Sequence, residues 1–297
     1  MTELSEVTDY IATVRSRAEA LTAAGIWSPL RARDVTEWES QFLNENEKIL
    51  AALILDNLIV RPKKQILSML TDAISSSNLA DNDRHDFGLF EKISKRSKTS
   101  CSVLVPVIGR SQAPTKSGPY ILRLLQRQWN VKDQYLKWAE SALEMASDLN
   151  SIILIDDFSG SGSQFEEFLL ETELSSIREK NEKIEVTLFC AAIHRKAVNR
   201  IERQFPWIRI ISADRLDDSH ALFSPKSCER LPSSVDVAML KDAYEKCLER
   251  AGVKADSKFS HGFGDLELCY AFDHATPNNS IPLLWYESDT WRPLVFR

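Results

Sequence analysis

Residues 152–164 read IILIDDFSGSGSQ, and this stretch decides how the rest of the chain is interpreted. Four apolar residues come first, two aspartates follow, and a loop of small residues completes it. A short apolar run bounded by polar residues is typical of a strand buried on both faces of a parallel sheet. We therefore predict a buried strand over 152–155. It delivers Asp156 and Asp157 at its carboxyl end, where open α/β sheets bind their ligands.

The sequence on either side of this stretch alternates between strand and helix patterns. Apolar runs predict further strands over 102–108, 186–193, 208–212 and 266–272. Amphipathic patterns predict helices over 119–129, 133–146, 164–174, 197–205 and 236–251. Strands that alternate with helices predict an α/β fold with a mostly parallel, doubly wound sheet.

The first part of the chain has a different pattern. Apolar residues recur at helical spacing through most of residues 1–75, and no strand pattern interrupts them. We therefore predict two domains. The first is an added N-terminal helical lobe over 1–100, and the second is an α/β domain over 101–297 that ends in an aromatic tail.

Composition excludes several classes of protein. The 297 residues are 43% hydrophobic and 27% charged, which is ordinary for a globular protein and argues against disorder, collagen or a small disulfide scaffold. The net charge of −6 does not indicate nucleic-acid binding. The polar start of the chain predicts no signal peptide, and the longest apolar stretch, 49–60, is too short to cross a membrane.

The chain has five cysteines, and no two of them form a CxxC pair. This pattern predicts neither a structural zinc site nor a disulfide framework. Unpaired cysteines fit a reducing compartment, so we predict a cytoplasmic protein.

The loop after the aspartates has the chemistry of a phosphate site. The loop consists of Ser159, Gly160, Ser161, Gly162 and Ser163. Bulky side chains do not cover its backbone N–H groups, and its three serines supply three hydroxyls. Such a loop at a helix N-terminus favours a phosphate dianion. The two carboxylates would repel that phosphate, but they suit sugar hydroxyls or a magnesium shell. The residues therefore predict a ligand such as a ribose 5-phosphate.

Other phosphate-binding motifs do not match this loop. The third glycine of GxGxxG is missing, and no Gly-Lys-Ser/Thr of a Walker A loop follows. An apolar run ending in two aspartates could be a Walker B strand, but a partner phosphate loop is absent from the sequence.

IILIDDFSGSGSQ resembles the signature of type I phosphoribosyltransferases, which bind 5-phosphoribosyl 1-pyrophosphate (PRPP). The resemblance implies that Asp156 and Asp157 act in catalysis by holding the ribose hydroxyls, and that Phe158 and the loop 159–163 bind the substrate's 5-phosphate. The loop departs from the family's usual Thr-Thr-Gly-Gly-Thr, and Gln164 stands where a hydroxyl residue is expected.

The resemblance also implies a pyrophosphate loop after an earlier strand, with Mg²⁺ bound together with the ligand. The candidate is the segment 109–118. Its substrate-binding residues would be Arg110, Lys116, Ser117 and Gly118, because cations and helix-start N–H groups suit pyrophosphate.

The tail carries a second resemblance. Its residues HATPNN (274–279), PLLW (282–285) and WRPL (291–294) are similar to a pattern of phosphoribosyltransferase-like proteins proposed as components of bacterial anti-phage systems. This resemblance implies a role in defence and a protein partner encoded in the same system. It leaves homo-oligomerisation open.

Three functions stay open at this point. The leading hypothesis is a phosphoribosyltransferase-like enzyme that binds PRPP or a related ribose phosphate or nucleotide. The alternative is a catalytically inactive sensor that binds a nucleotide or a partner protein and controls a toxic effector. The third is cleavage of a bound nucleotide with the help of one of the paired aspartates.

Overall fold

A computed structural model describes residues 3–77, 102–113 and 116–297. The chain forms two compact units, which are described separately below. One consists of Met1–Lys63 together with Asp217–Arg297 and is called the split unit; the other is Lys64–Leu216 and is called the sheet unit. The aromatic tail lies in the split unit. The boundary predicted between residues 100 and 101 lies outside the described residues, and a division there stays a prediction.

Strands and helices alternate within the sheet unit as predicted, and the following bounds include the elements of both units in chain order. The strands are β1 (Ile59–Arg61), β2 (Ser102–Pro106), β3 (Ser151–Ser159), β4 (Glu185–His194), β5 (Ile208–Leu216) and β6 (Tyr270–Phe272). The α-helices are α1 (Glu3–Ala23), α2 (Ala32–Glu39), α3 (Glu45–Asn57), α4 (Lys63–Ser77), α5 (Ser117–Trp129), α6 (Ala139–Glu144), α7 (Ser163–Glu171), α8 (Ile177–Lys180), α9 (Arg195–Gln204), α10 (Val237–Ala251) and α11 (Pro282–Trp285).

The sheet unit is built on four parallel strands in the order β2-β3-β4-β5. Alternate strand residues such as Ile152 and Leu154 pack with α6, α7, α8 and α9 in one apolar cluster. Helix α5 contacts β2 and β3 without joining that cluster, so it covers the opposite face. The predicted α/β fold with a parallel sheet covered on both faces is confirmed.

Strand β3 is longer than the apolar run that predicted it. The prediction ended the strand at Ile155, but the structure continues it to Ser159. The reason is the neighbouring strand β4, which keeps pairing beyond the apolar run and places Asp156 opposite Cys190 and Ser159 opposite Ile193. Both aspartates are therefore part of the sheet rather than of the loop after it.

The predicted helix over 133–146 is wrong in its extent. Residues 133–135 form a single 3₁₀ turn, and the α-helix begins only at Ala139. Between them the N–H of Lys137 donates to the carbonyl of Leu104 on β2, and Leu136 forms a parallel bridge with Leu104. Pairing with the edge of the sheet competes with the local helical pattern and interrupts it.

The split unit packs the first three helices against α10 and the tail. Its core includes the fully buried rings of Trp38 and Trp291. Both indole N–H groups donate to the same backbone carbonyl, that of Leu283, at 2.9 and 3.1 Å. A short parallel pair of strands, β1 and β6, also joins the two chain segments, with Ile59 opposite Tyr270.

A buried carboxylate at the end of α3 also links the two segments of the split unit. The side chain of Asp56 is only 2% exposed, and it forms ion pairs with Arg17 of α1 and with Arg230. Arg230 Nε lies 2.7 Å from Asp56 Oδ2. Burial of such a charge is tolerated because both partners are cations that also reach solvent.

Across the helices that the structure describes, none is both long and apolar enough to span a lipid bilayer.

Candidate functional site

The two aspartates of the signature lie at the carboxyl end of β3, where both are buried. Asp156 is 4% and Asp157 is 6% exposed. The backbone N–H of Asp157 donates to Asp156 Oδ1 at 3.0 Å. Burial is the main cause that raises the pKa of Asp156 well above its usual range, and the neighbouring Asp157 carboxylate adds to it. The raised pKa means that the neutral form of Asp156 persists to higher pH than that of an ordinary aspartate, and a sugar hydroxyl can exchange a hydrogen bond with either form.

Cys190 lies beside Asp156, on the neighbouring strand. Burial first, and then the negative charge of Asp156, raise the pKa of the Cys190 thiol well above its usual range. The thiol stays protonated and packs as a small apolar group. It is therefore no candidate for a thiolate nucleophile.

Two separate predicted loops meet at Asp157. The Ser117 hydroxyl, in the first residue of α5, donates to Asp157 Oδ1 at 2.7 Å. The next residue, Gly118, lies against the backbone of Val107, and a Cβ there would be 2.7 Å from the Val107 carbonyl oxygen. This close approach requires glycine and holds the start of α5 at the end of β2, from where Ser117 reaches Asp157 on β3. The positive end of the α5 dipole therefore faces the carboxylate.

Lys116 precedes α5 and is exposed. The positive charge of Lys116 lowers the pKa of Asp156, but this effect is smaller than the rise caused by burial. An exposed cation therefore acts on the paired aspartates, and the predicted role of Lys116 in binding pyrophosphate stays a prediction.

The loop of small residues joins β3 to α7. Ser159 is the last residue of β3 and is buried, as is Gly160, whereas Phe158, Ser161 and Ser163 are half-buried. The hydroxyls of Ser161 and Ser163 lie 2.8 Å apart. Helix α7 begins at Ser163, whose N–H donates to Ser161 Oγ at 3.4 Å, and its N-cap residue Gly162 has no side chain with which to cap the helix. N–H groups at a helix start, next to two hydroxyls, are suited to bind an anion.

Gly162 sets the shape of this loop. Its φ of 78° is in the left-handed region, and a Cβ at this position would lie 3.1 Å from Ala197 Cα on α9. Both the conformation and the space favour glycine. The loop is therefore held against α9, with its N–H groups directed by the backbone rather than by side chains.

Arg200 is a residue that sequence reasoning missed. It lies on α9, and a Cβ on Gly162 would be 3.3 Å from Arg200 Cδ. Its guanidinium is 3.5 Å from the carboxylate of Glu166, and about a third of the side chain is exposed. A cation therefore flanks the loop of small residues. Its position 38 residues beyond the loop, on another helix, gives no local sequence signal.

The turn at residues 109–111 differs from what the sequence predicted. Arg110 is exposed, but its guanidinium is paired with Glu140 at 2.8 Å and with Glu173 at 3.6 Å. The hydroxyl of Ser111 donates to Glu171 at 2.8 Å, and the Ser111 N–H lies 3.4 Å from the same carboxylate. The predicted pyrophosphate loop is thus already in contact with three carboxylates.

Comparison with known proteins identifies the family. The sequence matches the PRTase-CE family over residues 35–297, which is most of the chain. The chain belongs to the PRTase-CE family. The phosphoribosyltransferase-like character predicted from the signature is therefore confirmed, and the match includes the paired aspartates, the loop of small residues and the aromatic tail.

Other comparisons of this PRTase-CE chain add little. No curated protein matches it. Among solved structures, the AQ2163 protein from Aquifex aeolicus is similar at 15% sequence identity, covering 62% of this chain and 83% of that chain, with a TM-score of 0.30.

The residues of this PRTase-CE site also bear on a metal. Among the side chains that the structure describes, no three His, Cys, Asp or Glu residues converge as a metal site. Mg²⁺ commonly uses one or two carboxylates together with substrate phosphates and water. Asp156 and Asp157 fit the first part of that set, and the phosphate would have to come with the ligand. The predicted roles of the individual site residues stay predictions.

Proposed function

We propose that this PRTase-CE chain binds the 5-phosphoribosyl group of PRPP or of a related ribose phosphate or nucleotide. In this proposal the loop 159–163 and the start of α7 receive the 5-phosphate, with Arg200 as a nearby cation. Asp156 and Asp157 receive the ribose hydroxyls, and Mg²⁺ enters with the ligand. The observation that carries the proposal is the placement of a buried carboxylate pair directly before a helix start whose N-cap residue is glycine.

The physical argument is one of charge. A phosphate gains from the α7 N–H groups and loses energy beside a carboxylate. The two kinds of group lie next to each other along β3 and its loop, so one ligand satisfies both only when it carries an anion at one end and neutral hydroxyls at the other. The PRTase-CE match supports the same ligand class.

Two uses of such a bound ligand stay distinct. In a transferase, the bond from ribose C1 to pyrophosphate breaks, its electron pair leaves on the pyrophosphate, and an acceptor nucleophile bonds to C1. Electrostatic placement would supply most of the catalysis. In a sensor, the ligand is bound and not converted. The ion pairs of Arg110 with Glu140 and Glu173 favour the sensor, because they engage a cation that the departing pyrophosphate would need.

Calorimetry with ribose 5-phosphate and Mg²⁺ tests binding. We expect saturable binding that weakens at least about tenfold in Asp157→Asn, because a carboxylate accepts hydroxyl hydrogen bonds more strongly than an amide. The matched control is Asp148→Asn, an exposed aspartate that precedes β3. Binding that is absent with ribose 5-phosphate, PRPP and AMP alike, or that is equal in Asp157→Asn and the control, would refute the proposal.

Turnover then separates the two uses. Incubation with PRPP and each natural base, or with nucleotides alone, would release pyrophosphate or free base if the chain is an enzyme. Binding without any such product supports the sensor.

The biological setting is also a proposal. We propose a cytoplasmic role in bacterial anti-phage defence, exercised with a protein partner from the same system. It rests on the resemblance of the tail motifs. Phage plating on bacteria that express the system tests it, and equal plating with wild type and Asp157→Asn would contradict it.

A further inference from the structure

The turn that follows β2 lies at the same sheet edge as the proposed ribose site. β2 and β3 are neighbouring parallel strands, so their carboxyl ends point the same way. The Val107 N–H donates to the Ile155 carbonyl, and Ser117 donates to Asp157. A second charged group on a ligand held at the end of β3 would therefore meet the turn 107–112.

This segment already contains an anion supplied by the protein. Glu171, in the last residue of α7, accepts from the Ser111 hydroxyl at 2.8 Å. Gly109 lies against the same carboxylate so closely that a side chain there would collide with it. Glu171 thus occupies the hydrogen-bonding groups of the turn that an incoming phosphate would use.

The rest of the turn repels a second anion. Arg110 is its cation, and Glu140 and Glu173 both pair with that guanidinium. One positive charge therefore faces three negative charges, including Glu171. Ionised carboxylates accept hydrogen bonds and cannot donate them, so a donor group on the ligand suits this turn better than a phosphate does.

We infer that the site takes a 5-phosphorylated ribose whose C1 substituent is uncharged and donates hydrogen bonds, as in a nucleoside monophosphate, and discriminates against a pyrophosphate at C1. The inference rests on the proposed function, because it assumes that the 5-phosphoribosyl group binds at the end of β3. Glu171 is the specificity-determining residue. It acts as an internal anion that a C1 pyrophosphate must displace.

Calorimetry with ribose 5-phosphate and with PRPP tests the inference, because the two ligands differ only at C1. We expect wild type to bind ribose 5-phosphate at least about tenfold more tightly, since juxtaposed like charges cost several kcal/mol. Glu171→Gln should shift the affinity ratio toward PRPP by about tenfold. Glu167→Gln, an exposed residue of the same helix, removes the same charge and is the matched control.

A second variant keeps the test informative if Glu171→Gln does not fold. Glu140→Gln removes a half-exposed partner of Arg110 and should shift the ratio in the same direction. The preference for ribose 5-phosphate should also weaken as salt is added, because these carboxylates reach solvent.

The outcomes distinguish the two proposals. Equal affinity for both ligands in wild type, with no change in Glu171→Gln or Glu140→Gln, overturns the inference and leaves the proposed function intact. A shift of the same size in Glu167→Gln also overturns it, because net charge would then be the cause. Absence of binding with ribose 5-phosphate, PRPP and AMP alike, in every variant, overturns the proposed function itself.

Discussion

Replacing Gly162 by alanine tests whether the loop after β3 depends on its close contact with α9. Alanine in the left-handed region costs about 1–2 kcal/mol relative to glycine. At this position the new Cβ would also lie 3.1 Å from Ala197 Cα, and forcing an extra group into packed structure costs about 1–3 kcal/mol more. We expect Gly162→Ala to lower the free energy of unfolding by about 2–5 kcal/mol.

Gly252 provides a matched control. Its φ of +79° is nearly that of Gly162, but a Cβ there would meet nothing within 4 Å. Gly252→Ala should therefore pay only the conformational cost of about 1–2 kcal/mol. Urea denaturation followed by circular dichroism measures both variants, and calorimetry measures their binding of ribose 5-phosphate. We expect binding to weaken strongly in Gly162→Ala and to stay at the wild-type level in Gly252→Ala.

The comparison has a clear negative outcome. If the two variants lose the same stability, the loop is not pressed against α9 and the account of its shape is wrong. If Gly162→Ala is the less stable variant but binds ribose 5-phosphate as wild type does, the loop is rigid for structural reasons only, and the phosphate binds elsewhere.

Three further predictions concern charged groups. Asp56→Ala should lower the free energy of unfolding by about 2–3 kcal/mol, because it removes a buried acceptor from two arginines, whereas the exposed Asp242→Ala should leave the urea midpoint almost unchanged. The hydrogen bond to Glu267 raises the pKa of His261, so this pair stabilises the fold fully below the ordinary histidine pKa, and the stabilisation is lost as pH rises through the raised pKa. His261→Gln should therefore be less stable than wild type at pH 5.5 and equally stable at pH 8.5. The same difference in stability at both pH values would contradict this. Because folding raises the pKa of Asp156, the ionised carboxyl costs stability at neutral pH. Asp156→Asn should therefore raise the free energy of unfolding measured in urea at pH 7.5, by about 1.4 kcal/mol for every tenfold change in the acid dissociation constant, while weakening ligand binding; a lower free energy of unfolding would refute the raised pKa.

Local patterns in the sequence were enough to predict the sheet and the place of the paired aspartates. The apolar runs of β2, β3 and β4 are nearly continuous because both faces of a parallel sheet are covered, and that pattern needs no knowledge of distant residues. The strand ends were less predictable. Pairing with β4 extends β3 through Asp156 and Asp157, whose polar side chains signal a loop when read alone.

The surroundings of the site depend on long-range contacts that local patterns do not encode. Glu171 reaches Ser111 across 60 residues, and Arg200 approaches Gly162 from a different helix. Glutamate at a helix end and arginine on a helix surface are common, so neither residue carries a signal by its type. The ion pairs of Arg110 with Glu140 and Glu173 gave no local signal for the same reason, and the predicted role of Arg110 in binding pyrophosphate stays a prediction.

The shared carbonyl of Leu283 has a consequence for synthesis of the protein. Trp38 precedes it by 245 residues, so the first helices leave the ribosome roughly 10–50 s before their acceptor is made. During that interval the sheet unit can complete its own local contacts, while the large indole surface of the nascent N-terminal segment has no native cover. The hydrogen bonds from both indoles to Leu283 can form only after the aromatic tail has been synthesised.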